Sequence, residues 1–388
     1  MYTIEGEYNK AIIQSNTYPD DKSYSQIQQL VNSPFVEDES IVVQADYHAG
    51  AGCVIGYTQT LKHKKVCPNL VGVDIGCSVS AYKFKTQHNL DFRGISYEIQ
   101  KIVPMGFSVK AEENTENYLS ELVMDYNEYI KTHNVKARQI KNCIGSLGGG
   151  NHFIEINKDE DEEDTYYLTI HTGSRHFGLM VATYWQNIAI KQARHSFKGL
   201  CWLEDSDADS YLKDMNTARK VASENHIQIS KNIMDALTKM FDGNISIIEK
   251  DNIFTTHNYI DTEDMTVRKG AIRASIGERC IIPMNMRDGS LIVKVVGSNT
   301  EWNNSLPHGA GRVLSRTTAK AKITINEFKQ TMREAGVYCP RIDKSIVDEA
   351  PMAYKDKDEI INILSMYTDY IKIEKIIKPI FNMKSCGD

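Results

Sequence analysis

Apolar residues along the chain follow two periods. Short runs that are mostly apolar or β-branched occur at Ile41–Gln44, Leu70–Asp74, Val79–Phe84, Tyr166–Ile170, Ile245–Ile248 and Leu291–Val296. They predict strands, several of them too apolar to be half exposed. A helical spacing governs other stretches. The longest predicts a helix over Ser206–Leu237, where Tyr211, Met215, Ala218, Ala222, Ile229, Ile233 and Leu237 approximate one apolar face. Further helices are expected near Asn117–Thr132, Phe177–Arg194, Thr324–Ala335 and Glu359–Ile371. Strands and helices mix without regular strand–helix–strand alternation, which favours an α+β fold over a doubly wound sheet.

No internal repeat and no Pro- or Gly/Ser-rich linker divides the chain, so residues 1–388 read as a single domain. The most biased segment, Lys158 to Asp164, is a run of charges that reads as a solvated loop. With 41% hydrophobic and 25% charged residues, the chain has ample material for a core and sits in the soluble globular range. No apolar run is long enough to span a membrane, and the opening MYTIEGEYNK is too polar for a signal-peptide core, so a cytoplasmic location is expected. The eight cysteines form no CxxC pair, which argues against a disulfide framework or a zinc ribbon. A net charge of −6 does not announce a nucleic-acid binder, so any such contact must rest on a local basic patch.

Chemistry concentrates where the strand patterns end. In Leu70–Cys77 an apolar run enters a Gly-containing turn with Asp74 and Cys77 three residues apart, a spacing that lets both reach one ion. A thiolate can also bridge two ions. By itself the segment is as well explained by a buried Asp capping a turn beside a buried Cys. In Gly145–Glu155 three consecutive glycines precede Asn151, His152 and Glu155. If Asn151–Glu155 is extended, Asn151, Phe153 and Glu155 share one face and His152 points to the other. No Gly-Lys-Ser/Thr follows, so this is not a Walker loop, and a flexible turn is the plainer alternative. His171 and His257 each stand at the end of a strand pattern. A lone histidine is more often a satisfied core or surface residue than a ligand. Asp74, Cys77, His152, His171 and His257 together make a mixed O/N/S donor set of five, suited to two adjacent divalent ions.

His308 precedes Gly309-Ala310-Gly311 and an expected helix start, where exposed amides suit a phosphate. Imidazole is a competent nucleophile toward phosphorus. Arg312 and Arg316 stand near enough in sequence to meet phosphate oxygens, although a capped helix with surface arginines explains them equally well. The residues alone thus support a dimetal phosphate site.

From about Ile41 to the C-terminus these motifs resemble the tRNA-splicing ligase RtcB family. The resemblance is carried by Ala45-Asp-Tyr-His-Ala-Gly50, Val71 to Cys77, Gly145 to Glu155, His171 to Arg175, His257-Asn258, Arg268 to Ala271, His308 to Arg312, Asp348 to Pro351, Ala353 to Lys355, and Lys384. It implies a mixed-sheet domain around a central dimetal and nucleotide cleft. It further implies two Mn²⁺ ions bridged by Cys77, one also held by Asp74 and His152, the other by His171 and His257. His308 would carry a covalent guanylate from GTP, with Asp46 near the active site. The nucleotide would lie among Asn151, His152, Phe153, Ile154, Glu155, His257, Asn258, Pro283, Met284, Asn285, Met286, Ser290, His308, Gly309, Ala310, Gly311 and Lys384. The implied partners are RNA ends, a 3′-phosphate or 2′,3′-cyclic phosphate and a 5′-hydroxyl.

The chain departs from the family in three places that bear on the site, one of them the turn His171 to Gly178, which differs beyond Arg175. Ser78 stands where a glycine is usual after the cysteine, and Pro283-Met-Asn-Met286 replaces a loop that usually contains Gly-Ser. Two other functions stand as alternatives: a dimetal phosphoesterase acting on RNA ends, against which His308 with Lys384 speaks, and a non-catalytic RNA-end sensor, which is expected to have lost ligands where this chain keeps all five. Lys62, Lys64, Lys65, Arg138 and Lys141 are candidate RNA contacts, although exposed lysines are usually solvated surface.

Overall fold

The computed structural model describes residues 1–109, 131, 142–193 and 198–385. It is an α+β fold, as the mixed pattern predicts. One sheet holds, in spatial order, Tyr2–Glu5, Lys10–Ile13, Ile41–His48, Ile55–Thr60, Thr266–Lys269 and Asn258–Asp261. A larger sheet runs Arg279–Asn285, Gly289–Val295, Ile371–Lys384, Phe153–Asp159, Thr165–Thr172, Ser78–Lys85 and Ser246–Ile247, with Ile253–Thr256 also paired to Ser78–Lys85. Ala271–Arg273 and Ser305–Pro307 form a short ribbon. The pairing is antiparallel except where Lys10–Ile13 meets Ile41–Val43.

The strand Thr165–Thr172 is buried on both faces, which is why apolar residues stand at both odd and even positions of Tyr166–Ile170. Leu168 and Ile170 join a core beneath the large sheet, and Tyr167 joins another on the opposite face. The helix Asp205–Met240 braces both sheets. Its N-terminal part puts Tyr211, Met215 and Ala218 into the core of the first sheet, and its C-terminal part puts Ile229, Ile233 and Leu237 against the second. At 36 residues it spans about 54 Å, long enough to fix one sheet relative to the other.

The structure corrects several expectations. Leu70–Asp74 is not a strand: Pro68–Leu70 is a 3₁₀ turn, and the positive φ of 94° at Gly72 and 72° at Gly76 turns the chain tightly into Cys77. The helix expected over Glu359–Ile371 is Lys357–Leu364, capped by the Asp356 side chain, and Ile371 opens the long strand Ile371–Lys384. Lysines at every third position from Lys372 to Lys378 disguise that strand, as does Pro379, which sits at a register shift where no ladder N–H is required. Ile245–Ile248 shrinks to the edge pair Ser246–Ile247. The charged run is only partly solvated, since Asp159 is buried against Lys375 and Glu162 bonds Lys83. The helix expected near Asn117–Thr132 lies outside the described residues but for Lys131. Among the described residues no helix is long and apolar enough to cross a membrane, and the seven described cysteines are free thiols.

Candidate active site

The three sheets meet around a cleft of about 930 Å³. Its polar side chains arrive where the chain enters or leaves a strand. Cys77 precedes Ser78–Lys85, His152 precedes Phe153–Asp159, and His308 follows Ser305–Pro307. His257 is the single residue between Ile253–Thr256 of the large sheet and Asn258–Asp261 of the other. Backbone bonds tie these points together: His257 N–H donates to the Cys77 carbonyl at 3.0 Å, and Gly76 N–H to the Asn258 carbonyl at 2.7 Å.

At one end Cys77 Sγ lies 3.2 Å from His171 Nε2 and 3.5 Å from His152 Nε2. His152 Nε2 is also 3.0 Å from Asp74 Oδ2. His152 Nδ1 lies 2.9 Å from the Leu147 carbonyl, which can only accept, so Nδ1 donates there and Nε2 is the ring nitrogen turned toward Asp74 and Cys77. Nε2 and the carboxylate face each other across 3.0 Å, a gap that a proton or a cation can bridge. The ring of His257 packs beside His171, with centroids 5.2 Å apart, and its Nδ1 is buried with no partner among the described residues. Cys77, His152 and His171 have donor atoms close enough to share an ion.

Burial pushes the Cys77 thiol well up, and neighbouring Asp74 adds to this. Burial also drives His171 and His257 well below the usual imidazole range, helped by the other histidines, so both are neutral donors at pH 7. Burial alone would raise Asp74, yet the His152 hydrogen bond and charge bring it below the usual carboxylate value. A divalent ion would favour the thiolate, reversing the effect of burial on Cys77. Two glycines make room for this cluster. A Cβ on Gly173 would stand 2.2 Å from Asp74 Oδ1, and one on Gly148, at φ +92°, would stand 2.7 Å from His152 Nδ1.

Next along the cleft, the rings of His257 and His308 are 4.9 Å apart. Asp46 is fully buried and one of its oxygens meets three donors: His308 Nδ1 at 2.6 Å, His308 N–H at 3.0 Å and Gly309 N–H at 3.1 Å. A carboxylate in this position puts the imidazole proton on Nδ1 and leaves Nε2 as the free nucleophilic nitrogen. His48 Nδ1 bonds the Asp46 carbonyl at 3.1 Å, and burial, the largest influence, lowers His48 to about 4.

The far end is an ion-pair hub on buried Glu349. It binds Arg312 at 3.2 Å, Arg316 at 2.6 Å, Lys384 at 3.1 Å, and the Tyr354 hydroxyl. Burial would raise Glu349, but Lys384, Arg316 and Arg312 together with Tyr354 hold it at about 2. Lys384 also donates to the Asn151 carbonyl at 3.1 Å and sits over the Phe153 ring. Across the register from Asn382, buried Glu155 accepts from its amide. Burial raises Glu155 to about 7 despite Asn382, Asn157 and Lys384.

Most of the residues singled out in the sequence line this cleft, including Asn151, Phe153, Glu155, Asn258, Pro283 to Met286 and Gly309 to Gly311. Three placements differ from expectation. Ile154 is fully buried in the core on the face opposite Phe153 and Glu155, as strand alternation requires, so its side chain has no route to the cleft. Ser290 is fully buried off the cleft wall, its hydroxyl without a partner among the described residues. Arg312 and Arg316 are engaged by Glu349 and Asp348 instead of standing free, and the expected helix beside His308 begins at Arg316, capped by Ser315. Lys62 and Lys64 bond the Asp38 carbonyl and Asp209 away from the cleft wall, and Lys65 does not line it. Arg138 and Lys141 lie outside the described residues.

Sequence reasoning assigned no role to Glu349, Tyr354 or Asn382. Asn382 lies two positions before Lys384 on one strand and so shares its face, but the strand itself could not be read from the sequence. Glu349 carries no such signal, since its partners are dispersed along the chain.

Comparison with known proteins gives a consistent result. Residues 26–385 match the family model described as tRNA-splicing ligase RtcB. The chain is 33% identical over 374 residues to the RNA-splicing ligase RtcB of Escherichia coli K12, covering 86% of this chain and 88% of that protein. It is 27% identical over 412 residues to the tRNA-splicing ligase RtcB of Nanoarchaeum equitans, covering 87% and 86%. RNA-splicing ligase RtcB2 of Escherichia coli ATCC 25922 is 28% identical over 370 residues, with 90% and 89% covered.

Proposed function

The chain belongs to the tRNA-splicing ligase RtcB family and is an RNA ligase, and we propose that it joins RNA 3′-phosphate or 2′,3′-cyclic phosphate ends to 5′-hydroxyl ends, using GTP, two Mn²⁺ ions and a guanylylated His308. The observation that carries this reading is the continuous line of contacts from Asp74 and His152 through Cys77 and His171 to His257 and His308, closed by Asp46.

Cys77 stands between two donor groups, so one ion would take Asp74, His152 and the thiolate, and the other the thiolate, His171 and His257. The His152 Nε2 turned to the Asp74 carboxylate and the orphaned Nδ1 of His257 fit such occupancy. When bound, the ions supply charge neutralisation on phosphate oxygens and lower the effective pKa of an attacking hydroxyl.

The steps at this chain's own atoms follow. His308 Nε2 attacks the α-phosphorus of GTP, an N–P bond forms, and pyrophosphate leaves. Asp46 holds the Nδ1 proton throughout and balances the positive charge that develops on the ring. An oxygen of the RNA 3′-phosphate then attacks the same phosphorus and His308 departs neutral. Finally the 5′-hydroxyl attacks the activated 3′-phosphorus, loses its proton and expels GMP. Arg312 and Lys384, held by Glu349 at fixed places in the cleft, give the anionic nucleotide a positive wall.

The test is transfer of radiolabel from α-labelled GTP to the protein. Label should require Mn²⁺, survive denaturation, chase into ligated RNA, and vanish in His308→Ala. Wild-type protein that takes no label yet hydrolyses RNA terminal phosphates would establish the dimetal phosphoesterase in its place.

A further inference from the structure

Asn382 and Glu155 face each other in the register between Ile371–Lys384 and Phe153–Asp159, and both line the cleft. They are 2% and 3% exposed. The Asn382 amide nitrogen donates to Glu155 Oε2 at 2.5 Å. Its carbonyl oxygen is left buried with no partner among the described residues. Asn157, two positions from Glu155 on the same face, repeats the pattern: its amide donates to Thr169 Oγ1 at 2.9 Å and its carbonyl oxygen is orphaned. Asn157 lies behind the cleft wall, so the unmet capacity for a donor beside Lys384 is that of Asn382. A buried acceptor without a partner destabilises the fold, and a ligand that brings the missing donor recovers that loss on binding.

Resting on the nucleotide reading above, we propose that Asn382 is a base-specificity residue: its orphaned carbonyl accepts from the amine at C2 of guanine while Glu155 accepts from the ring N1–H. Guanine offers those two donors side by side. Hypoxanthine keeps N1–H and lacks the amine, and adenine presents a bare N1 that a carboxylate repels. A site built to receive a donor discriminates against the analogue that lacks it, because its own buried group is then left unpaired. Discrimination by this chain thus extends to GTP over ITP, in addition to GTP over ATP.

The experiment is equilibrium binding of GMP and IMP to the full-length Mn²⁺-loaded protein, with GTP labelling run alongside. Wild type should bind GMP at least about tenfold more tightly than IMP, the ratio that one neutral hydrogen bond carries. Asn382→Leu and Asn382→Ala should bring that ratio close to one. Because both ligands are measured on one preparation, a fraction of unfolded protein cancels from the ratio. The GTP concentration needed for half-maximal labelling should rise in these variants. Equal binding of GMP and IMP by wild type, binding of neither, or an unchanged ratio in both variants overturns the role of Asn382. Absence of label from GTP overturns the functional reading beneath it, whatever the binding ratio.

Discussion

The two ends of the cleft solve the problem of burying charge in opposite ways. At the Glu349 end the central carboxylate meets Arg312, Arg316 and Lys384 together with a tyrosine hydroxyl, and it is stable as an anion down to about pH 2. At the Cys77 end the donors meet one another: a thiol held up by burial, imidazoles held neutral by burial, an imidazole nitrogen against a carboxylate, and an orphaned ring nitrogen. The first arrangement is complete within the chain. On the function proposed above, the second would be completed by cations and be the reactive half, with the first as its rigid frame.

The contrast breaks most directly at Cys77. If the thiolate joins both ions, Cys77→Ala should lower the rate of GTP labelling by a factor of about 1,000 or more, the scale of losing a principal electrostatic stabiliser. Wild type should also gain stability on Mn²⁺ addition, about 2.7 kcal/mol at a hundredfold excess over Kd, read as a rise of several degrees in Tm. Cys77→Ala should show almost none of that rise. A variant whose Tm still climbs with Mn²⁺ would mean that the thiol is not a ligand.

Glu349 should matter to the fold more than to the chemistry. Replacing it by Gln leaves buried Lys384 and Arg312 without their anion, a change that typically costs about 3–5 kcal/mol. The pH dependence tests the cause. A carboxyl whose folded value lies at about 2, below its unfolded value of 4.5, contributes its full stabilisation above pH 4.5 and loses it as pH falls toward 2. The gap in unfolding free energy between wild type and Glu349→Gln should therefore be largest near neutrality and shrink steadily below pH 4.5. A gap that is constant with pH would point to packing instead of charge.

The same division decided what could be read in advance. That Cys77, His152, His171 and His257 come together was legible because each stands at or next to the end of a strand, whereas Asp74 lies in the turn that leads into one. The long helix was legible because its apolar face persists over many turns. Glu349 was opaque as a hub, since Arg312, Arg316, Tyr354 and Lys384 converge on it only in three dimensions. The strand Ile371–Lys384 was hidden because Lys372, Lys375 and Lys378 recur every third residue while its isoleucines serve both faces, a pattern closer to an amphipathic helix than to strand alternation. Ile154 was assigned to the nucleotide with its neighbours, although alternation already sends it to the other face.

The smallest expected effect lies at Glu155, midway in character between the two ends: buried like Glu349, yet short of charge partners like the Cys77 cluster. Lys384 is the cation that favours its ionised form, Cys339 is the other titratable group that senses it, and burial outweighs both Lys384 and the asparagine hydrogen bonds. A carboxyl raised from 4.5 to about 7 contributes nothing to stability below pH 4.5 and becomes progressively destabilising between pH 4.5 and 7, after which the penalty is constant. At 1.36 kcal/mol per unit the full penalty is about 3 kcal/mol. Glu155→Gln keeps the shape and removes the titration, so it should unfold at a higher temperature than wild type at pH 8 and match it at pH 4.5. The same variant should weaken GMP binding most at pH 8, where the wild-type carboxylate is ionised and able to accept from the base. A Glu155→Gln protein that is less stable than wild type at pH 8 would show that the asparagines and Lys384 satisfy the carboxylate fully, and the cleft would then hold two self-sufficient anions instead of one.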